Sequence, residues 1–304
     1  MTALVVRRFV RVLVVCVGVS LVTFSILHVS GDPVALMMPE APEADRAVLR
    51  AAMGFNEPLP AQFVRFLGNT ARGDFGRSFY HRTPALALVL ERMPTTLTLT
   101  VLAMLLAVGV AVPVGIYGAV RRNSLIDHLA TVVVFLGQSM PVFWTGIMLI
   151  LLFAVQWRLL PVSGWEGWAA VILPALTLGT FSAPLLLRIV RSSMLEVINL
   201  DYVRTARAKG VSEWFVICRH ALTNAALPLV TVVGLQFGLL LGGAVITETV
   251  FAVPGVGRLI VGAIRQLDFP VVQAGVFLLA MIIVGVNFVV DLLYLYLNPT
   301  IRVR

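Results

Sequence analysis

The sequence is poor in charge and has almost no lysine. Asp, Glu, Lys and Arg make up 12% of its 304 residues, and Lys209 is the one lysine beside 22 arginines. With 59% hydrophobic residues and a mean hydropathy of +0.97, the chain lies outside the soluble globular class. The missing lysines also remove one activity. Lys209 sits in Ala206-Arg207-Ala208-Lys209-Gly210, which does not fit the Gly-x4-Gly-Lys-Ser/Thr pattern, so the chain cannot cradle ATP phosphates in that way. No His, Cys, Asp and Glu cluster has metal-ligand spacing, and no nucleophile stands beside a base, so intramembrane enzyme chemistry has no support. The centres of the apolar stretches hold almost no ionisable side chains, which argues against proton or sodium coupling. Of the two cysteines, Cys16 falls in the first apolar stretch and Cys218 in a polar one, positions that a structural disulfide would not join.

Long apolar runs are what the sequence has. A spanning helix needs roughly 20 apolar residues, and lipid offers no partners to a backbone that is not helical. The runs therefore predict an all-α membrane protein with six transmembrane helices, centred near residues 20, 107, 142, 178, 236 and 285. The net charge of +8 is divided by side rather than gathered into a nucleic-acid patch. With a cytoplasmic N-terminus, the inner segments hold Arg7, Arg8, Arg11, Arg121, Arg122, Arg188, Arg191, Arg204, Arg207, Lys209, Arg219, Arg302 and Arg304. Against these stand Asp127, Glu196, Asp201 and Glu213, and the outer loops balance near zero. That asymmetry places both termini in the cytoplasm.

Residues 1–31 imitate a secretory signal, with arginines ahead of an apolar run and Val29-Ser30-Gly31 in the place of a cleavage site. The run exceeds the roughly 7–15 residues of a signal core and five spans follow, so it is read as a retained first helix with His28 at its outer interface. Residues 32–93 form an extracytoplasmic helical region with seven basic and seven acidic residues. Helices are expected from Glu43 to Met53, between Pro42 and Gly54, from Pro60 to Ala71, and as an amphipathic piece from Ala85 to Arg92 ahead of Pro94. Residues 94–304 form the core with the other five spans. The second, Thr95 to Val120, contains Pro113. The third, Leu129 to Val155, is interrupted by Gln138, Ser139, Met140 and Pro141, either as pathway lining or as a packing kink. The fourth, Trp168 to Leu187, is broken by Pro174 and Pro184, and Trp157, Trp165 and Trp168 fit an interfacial belt. The fifth, Leu227 to Thr247, carries Gly234, Gly238 and Gly242 on one face. This doubled GxxxG ridge lets another backbone come close, within the chain or in a partner, while Gln236 lies off the ridge as a candidate for pathway lining. An outer-mouth segment, 248–271, contains a short helix, and the last span, Val272 to Leu295, places Asp291 near the cytoplasmic boundary.

One polar island, Asp201 to Pro228, lies in the cytoplasmic loop 192–226. Asp201 or Asn199 can N-cap a helix that Gly210 ends. Tyr202, Val203, Ala206 and Gly210 share one face, with Arg204 and Ala208 opposite, and small residues there suit insertion into a partner's cleft. A basic amphipathic helix resting on anionic lipid is the other reading.

Arg204-Thr205-Ala206-Arg207-Ala208-Lys209-Gly210, followed by His220-Ala221-Leu222-Thr223-Asn224 and Pro228, resembles the EAA-type loop of ABC importer permeases, in the form used by the dipeptide, oligopeptide and nickel permease family. Further stretches resemble that family in order: Gly31-Asp32-Pro33, Gly73-Asp74-Phe75-Gly76-Arg77-Ser78, Arg92-Met93-Pro94-Thr95-Thr96, Pro141-Val142-Phe143-Trp144 and Phe251-Ala252-Val253-Pro254-Gly255-Val256-Gly257. Arg204 and Thr205 replace the Glu-Ala of the generic motif, and Thr223 stands where proline is frequent. The resemblance implies a type I ABC importer permease in the bacterial cytoplasmic membrane, with no cofactor on this chain and ATP and Mg on two cytoplasmic ATPase subunits. It also implies a second homologous permease and an extracytoplasmic substrate-binding protein, with lipid around the chain and no nucleic acid. The cargo implied is a di- or oligopeptide, with nickel chelate or glutathione as alternatives. ATPase coupling would fall to Asp201, Tyr202, Val203, Arg204, Thr205, Ala206, Arg207, Ala208, Lys209, Gly210, His220 and Asn224, with Tyr202, Val203, Ala206 and Gly210 inserted. Closure of the ATPases would then tilt the attached spans. An ion-coupled secondary transporter, a channel or a membrane scaffold are the rivals, each predicting that no ATPase copurifies.

Overall fold

The computed structural model describes residues 2–29, 34–35, 40–52 and 54–297. Gly31-Asp32-Pro33, Arg302 and Arg304 lie outside the described residues, as do the side chains of Arg7, Arg8, His28, Gln138 and Asp291. Among the described residues the chain is helical, and its one β-type pairing is an isolated bridge between Arg77 and Pro84.

The elements in order are α1 (Thr2–Val29), α2 (Glu43–Ala52), α3 (Leu59–Ala71), α4 (Ala85–Val120), α5 (Leu125–Ser139), α6 (Val142–Leu149), α7 (Trp168–Val197), α8 (Asp201–Ala208), α9 (Glu213–Phe215), α10 (Leu222–Val250), α11 (Val256–Arg265) and α12 (Phe269–Leu297). A π-helical turn, Ile150–Gln156, extends α6, and another, Val216–Ala221, joins α9 to α10. Four stretches are long and apolar enough to cross a membrane: Ala85–Val120, Trp168–Val197, Glu213–Val250 and Phe269–Val290. Val10–Ile26 and Val142–Gln156 are shorter apolar helices.

Three expectations change. The amphipathic piece and the second span are one helix, α4, with Pro94 and Pro113 inside it. Its 36 residues rise about 54 Å at 1.5 Å each, well beyond a hydrocarbon core of roughly 30 Å. Pro174 and Pro184 do not break the fourth span; both sit inside the continuous α7. Apolar helices tolerate proline where neighbouring groups take up the freed carbonyls. The third span is the one that breaks. Met140 is extended (φ −90°, ψ 130°), and α6 restarts at Val142 after Pro141, which fixes φ and has no N–H to continue α5.

The chain forms two compact units. In the first, Met1–Thr95 with Pro254–Val284, the Phe24 ring of α1 meets Phe63 and Phe66 of α3 at 5.4 and 6.0 Å between centroids. Asp268, 1% exposed, organises the Gly73–Ser78 motif from below: it accepts hydrogen bonds from Ser78 Oγ and from the Phe79 backbone N–H at 3.1 Å. A Cβ on Gly275 of α12 would come within 2.6 Å of Ile260 on α11, so that glycine is what lets the two helices touch.

In the second unit, Thr96–Val253 with Gly285–Arg304, the core is built by α4, α7 and α10. Leu99, Ala103, Ala107 and Ala111 recur every four residues along α4 and pack with Leu178, Leu186 and Val190 of α7 and Leu240 and Ala244 of α10. Small side chains permit close backbone approach where lipid supplies no hydrophobic drive. At Gly179 the approach is close to backbone, since an added Cβ would lie 2.9 Å from the carbonyl oxygen of Ala103.

Both cysteines are free thiols. Of the three tryptophans expected at an interface, Trp168 is 82% exposed and Trp157 52%, whereas Trp165 is partly buried against the apolar clusters.

Candidate functional site

Local chemistry makes the polar island a compact helical loop. Helix α8 starts after Leu200, whose carbonyl accepts from Val203 at 3.0 Å and Arg204 at 3.1 Å. Leu200 and not Asp201 or Asn199 is the N-cap, and no side chain caps it; Asp201 instead occupies the first turn, where its charge complements the helix dipole. The end falls where glycine allows it. Gly210 has φ +75°, its N–H bonds Arg207 O at 2.9 Å, and the Val211 N–H bonds Ala206 O at 3.3 Å. These two bonds form a Schellman stop, and Val211 packs on the Ala206 cluster as such stops require.

The loop then closes on itself. Val203 (0% exposed), Ala206 (8%) and Val216 (0%) form a small core with Val197 and Val211. This overturns the expectation that Val203 and Ala206 belong to an inserted face, because the loop has its own apolar face to bury and these residues supply it. Tyr202 is 39% exposed, and its hydroxyl accepts from Asn224 Nδ2 at 2.8 Å, tying α8 to the base of α10. Asn224 Nδ2 also reaches His220 O, at 3.4 Å, so His220 and Asn224 act here as braces.

Arg207 is a further brace. It pairs with Glu213 through Nη2 to Oε1 at 2.7 Å and Nε to Oε2 and Oε1 at 3.0 and 3.3 Å, and donates from Nη1 to Ile198 O at 3.3 Å. The Glu213 bonds hold the guanidinium even more firmly protonated than usual. What remains outward is the other side of α8, with Asp201, Arg204, Thr205, Ala208 and Lys209. Beside it stand Trp214, 77% exposed, and Phe215, 47% exposed. The Arg219 guanidinium lies 5.8 Å above the Phe215 ring. Glu213, Trp214 and Phe215 are not among the residues the sequence assigns to the site; two adjacent aromatics within a polar loop are the available signal.

Just ahead of the loop a bidentate ion pair joins α5 to α7, a pairing that the sequence does not mark. Arg191 of α7 donates to Asp127 at 2.8 Å through both Nε and Nη2. Asp127, in the first turn of α5 ahead of its apolar stretch, is 4% exposed and also accepts from the Asn123 N–H at 3.1 Å. The Arg191 hydrogen bond holds the Asp127 carboxyl below its ordinary value, against an opposing effect of burial.

The other sequence candidates are scattered. Gln236 is 5% exposed and donates to Ser182 Oγ at 3.1 Å, so its amide joins α10 to α7 rather than lining a pathway. Ser139, Met140 and Pro141 form the break between α5 and α6. The glycine ridge is not one continuous contact within the chain. A Cβ on Gly234 would collide with Val290 of α12, whereas one on Gly242 would meet nothing within 4 Å. A buried acid was also missed: Glu248 is 0% exposed and accepts from Thr96 Oγ1 at 2.6 Å, though its place at the end of an apolar run had read as the start of a loop.

Relatives extend along the whole chain. It is 42% identical to the dipeptide transport system permease protein DppB of Escherichia coli K12 and 41% identical to the glutathione transport system permease protein GsiC of the same strain, each over 99% of both chains. A chain of the MetNI methionine ABC transporter, solved in inward-facing conformations, matches with a TM-score of 0.56 at 20% identity, over 69% of this chain and 96% of that one. It has the same fold. The N-terminal model of the binding-protein-dependent transport system membrane components matches residues 1–100. The model described as "Binding-protein-dependent transport system inner membrane component" matches residues 111–303. The chain is therefore a multi-pass inner-membrane transport subunit, not an enzyme, and belongs to the binding-protein-dependent transport system inner membrane components, the permeases of ABC importers.

Proposed function

We propose that this chain is one permease of an ATP-driven importer of short peptides. It crosses the membrane six times, with both termini cytoplasmic, in the type I arrangement. It pairs with a second homologous permease and with two cytoplasmic ATPase subunits that hold ATP and Mg, and it receives cargo from an extracytoplasmic binding protein. The broad regions are a first helix (1–31), an extracytoplasmic helical region (32–93) and a core (94–304) that includes the coupling loop 192–226 and the outer-mouth segment 248–271. The observation that carries the reading is the folded island between α7 and α10. Its apolar face is satisfied internally by Val203, Ala206 and Val216, while Arg204, Thr205, Ala208, Trp214 and Phe215 are left outward. A loop with its own core moves as a rigid body, so a push on α8 passes to the end of α7 through the Arg207–Ile198 carbonyl bond and to α10 through the Tyr202–Asn224 tie.

A dipeptide cargo is supported by the likeness to DppB and a glutathione cargo by the nearly equal likeness to GsiC. Reconstitution of the complete complex in proteoliposomes tests both. ATP-dependent uptake of labelled dipeptide supports the first reading, and uptake of glutathione alone replaces it with the second. Uptake by the purified chain under an ion gradient, without ATPases, overturns the importer proposal.

A further inference from the structure

A cavity of about 730 Å³ lies within the unit Met1–Thr95 with Pro254–Val284. That volume is in the roughly 300–1,000 Å³ range of ligand pockets. Phe24 of α1, Phe66 of α3 and Phe269 of α12 line it together with Arg77, Arg82 and Gln273, and among the described residues no acidic one does.

Three features of this lining point to one ligand chemistry. The first is a graded polarity. Phe24 lies near the end of the apolar stretch Val10–Ile26, and Gln273 near the start of the apolar Phe269–Val290, while Arg77 and Arg82 belong to the polar loop before α4. The second is an unmatched donor. Gln273 is 7% exposed, and its Nε2 has no hydrogen-bond partner among the described residues. A desolvated donor is costly unless something supplies an acceptor. The third is unbalanced charge. Arg65, the other lining arginine, is paired with Glu57, whereas Arg77 spends Nε and Nη2 on the Arg82 carbonyl, at 3.1 and 2.7 Å. The Arg82 side chain has no ion-pair or hydrogen-bond partner among the described residues and is exposed. A zwitterionic peptide would bring an ammonium group that no carboxylate in the lining can meet. An amphiphile with a negative head has no such group. The neighbouring α1 leaves Leu21, Val22 and Ile26 about half exposed, so an acyl chain has an apolar surface to follow.

We propose that this cavity binds a phospholipid with a net negative headgroup. Its phosphate meets Arg77 and Arg82, an ester carbonyl accepts from Gln273 Nε2, and an acyl chain lies along Phe24, Phe66 and Phe269. The inference stands independently of the cargo.

The test uses the full complex, delipidated in a non-ionic detergent and titrated with phosphatidylglycerol or phosphatidylcholine, with bound lipid read by native mass spectrometry. Phosphatidylglycerol is expected to bind and phosphatidylcholine to bind far more weakly. Arg82→Gln should weaken phosphatidylglycerol about fivefold, the usual worth of one arginine near an anionic lipid surface. Gln273→Leu should act in two directions, raising the melting temperature of the lipid-free complex while weakening phosphatidylglycerol binding. A merely structural glutamine would not produce that opposition. Equal binding of the two lipids, unchanged phosphatidylglycerol binding in both variants, or displacement of the lipid by dipeptide or glutathione overturns the proposal.

Discussion

Replacing Ala206 with Glu and, separately, Arg204 with Glu should injure the protein in two different ways, although the residues are two apart on one short helix. Ala206 is 8% exposed and packs with Val203 and Val216, both fully buried. A carboxylate there is either buried without a partner or drives α8 off its support. An unpaired polar group costs about 1–3 kcal/mol and a charged one more, so a drop in melting temperature of several degrees is expected. The Arg204 side chain is 68% exposed, and its nearest acid, Asp201, is 3.9 Å away and fully exposed. So exposed a pair contributes little in water, and reversing the charge should leave the melting temperature unchanged. The functional effects then separate. In the assembled complex, Arg204→Glu and the bulkier Ala208→Trp should abolish substrate-stimulated ATP hydrolysis while unfolding like the parent. Normal stimulation in both would refute the outward face as the partner contact. An Ala206→Glu protein that melts like the parent would refute the internal packing of α8.

Two further outcomes follow from the packing. Gly179→Ala should destabilise the protein by roughly 1–3 kcal/mol, because its Cβ would meet the Ala103 carbonyl oxygen at 2.9 Å and a backbone atom cannot rotate away. Gly242→Ala, with nothing within 4 Å, is the control, and equal melting of the two variants would contradict the close α4–α7 contact. Removing either partner of the Asp127–Arg191 pair should cost about 2 kcal/mol, below the full value for a buried pair because the Arg191 side chain is 30% exposed. A double-mutant cycle reads the coupling, and additive losses would show that the bidentate geometry contributes nothing. The sign of its pH dependence is also set. A carboxyl held below its ordinary value stabilises above the unfolded pKa of about 4 and loses that effect as pH falls through the folded value, so the coupling should be flat between about pH 6 and pH 8.

Much of the fold was legible because membranes leave few choices. Apolar length and the absence of any other way to satisfy a backbone in lipid locate the long helices, and Gly210 marks the end of α8 by its residue type. The breaks were less legible. Met140-Pro141 separates two helices while Pro184 lies inside α7; both prolines lack an N–H, so residue type alone does not tell them apart. The long-range pairs were invisible for another reason. Asp127 with Arg191, Ser78 with Asp268 and Thr96 with Glu248 are 64, 190 and 152 residues apart, and nothing local marks one member as needing the other.

The sequence by itself determined that this is a helical membrane protein without a Gly-x4-Gly-Lys-Ser/Thr phosphate loop, and it located the polar island between two apolar stretches. Composition, run length and short-range turn chemistry suffice for that, since each is settled within a few turns of chain. Only the tertiary structure decided which side of the island faces out. A helical wheel divides α8 into two faces but does not know that Val216, ten residues beyond Ala206, folds back to cover one of them. The small residues that looked suited to a partner's cleft were already filling the loop's own core.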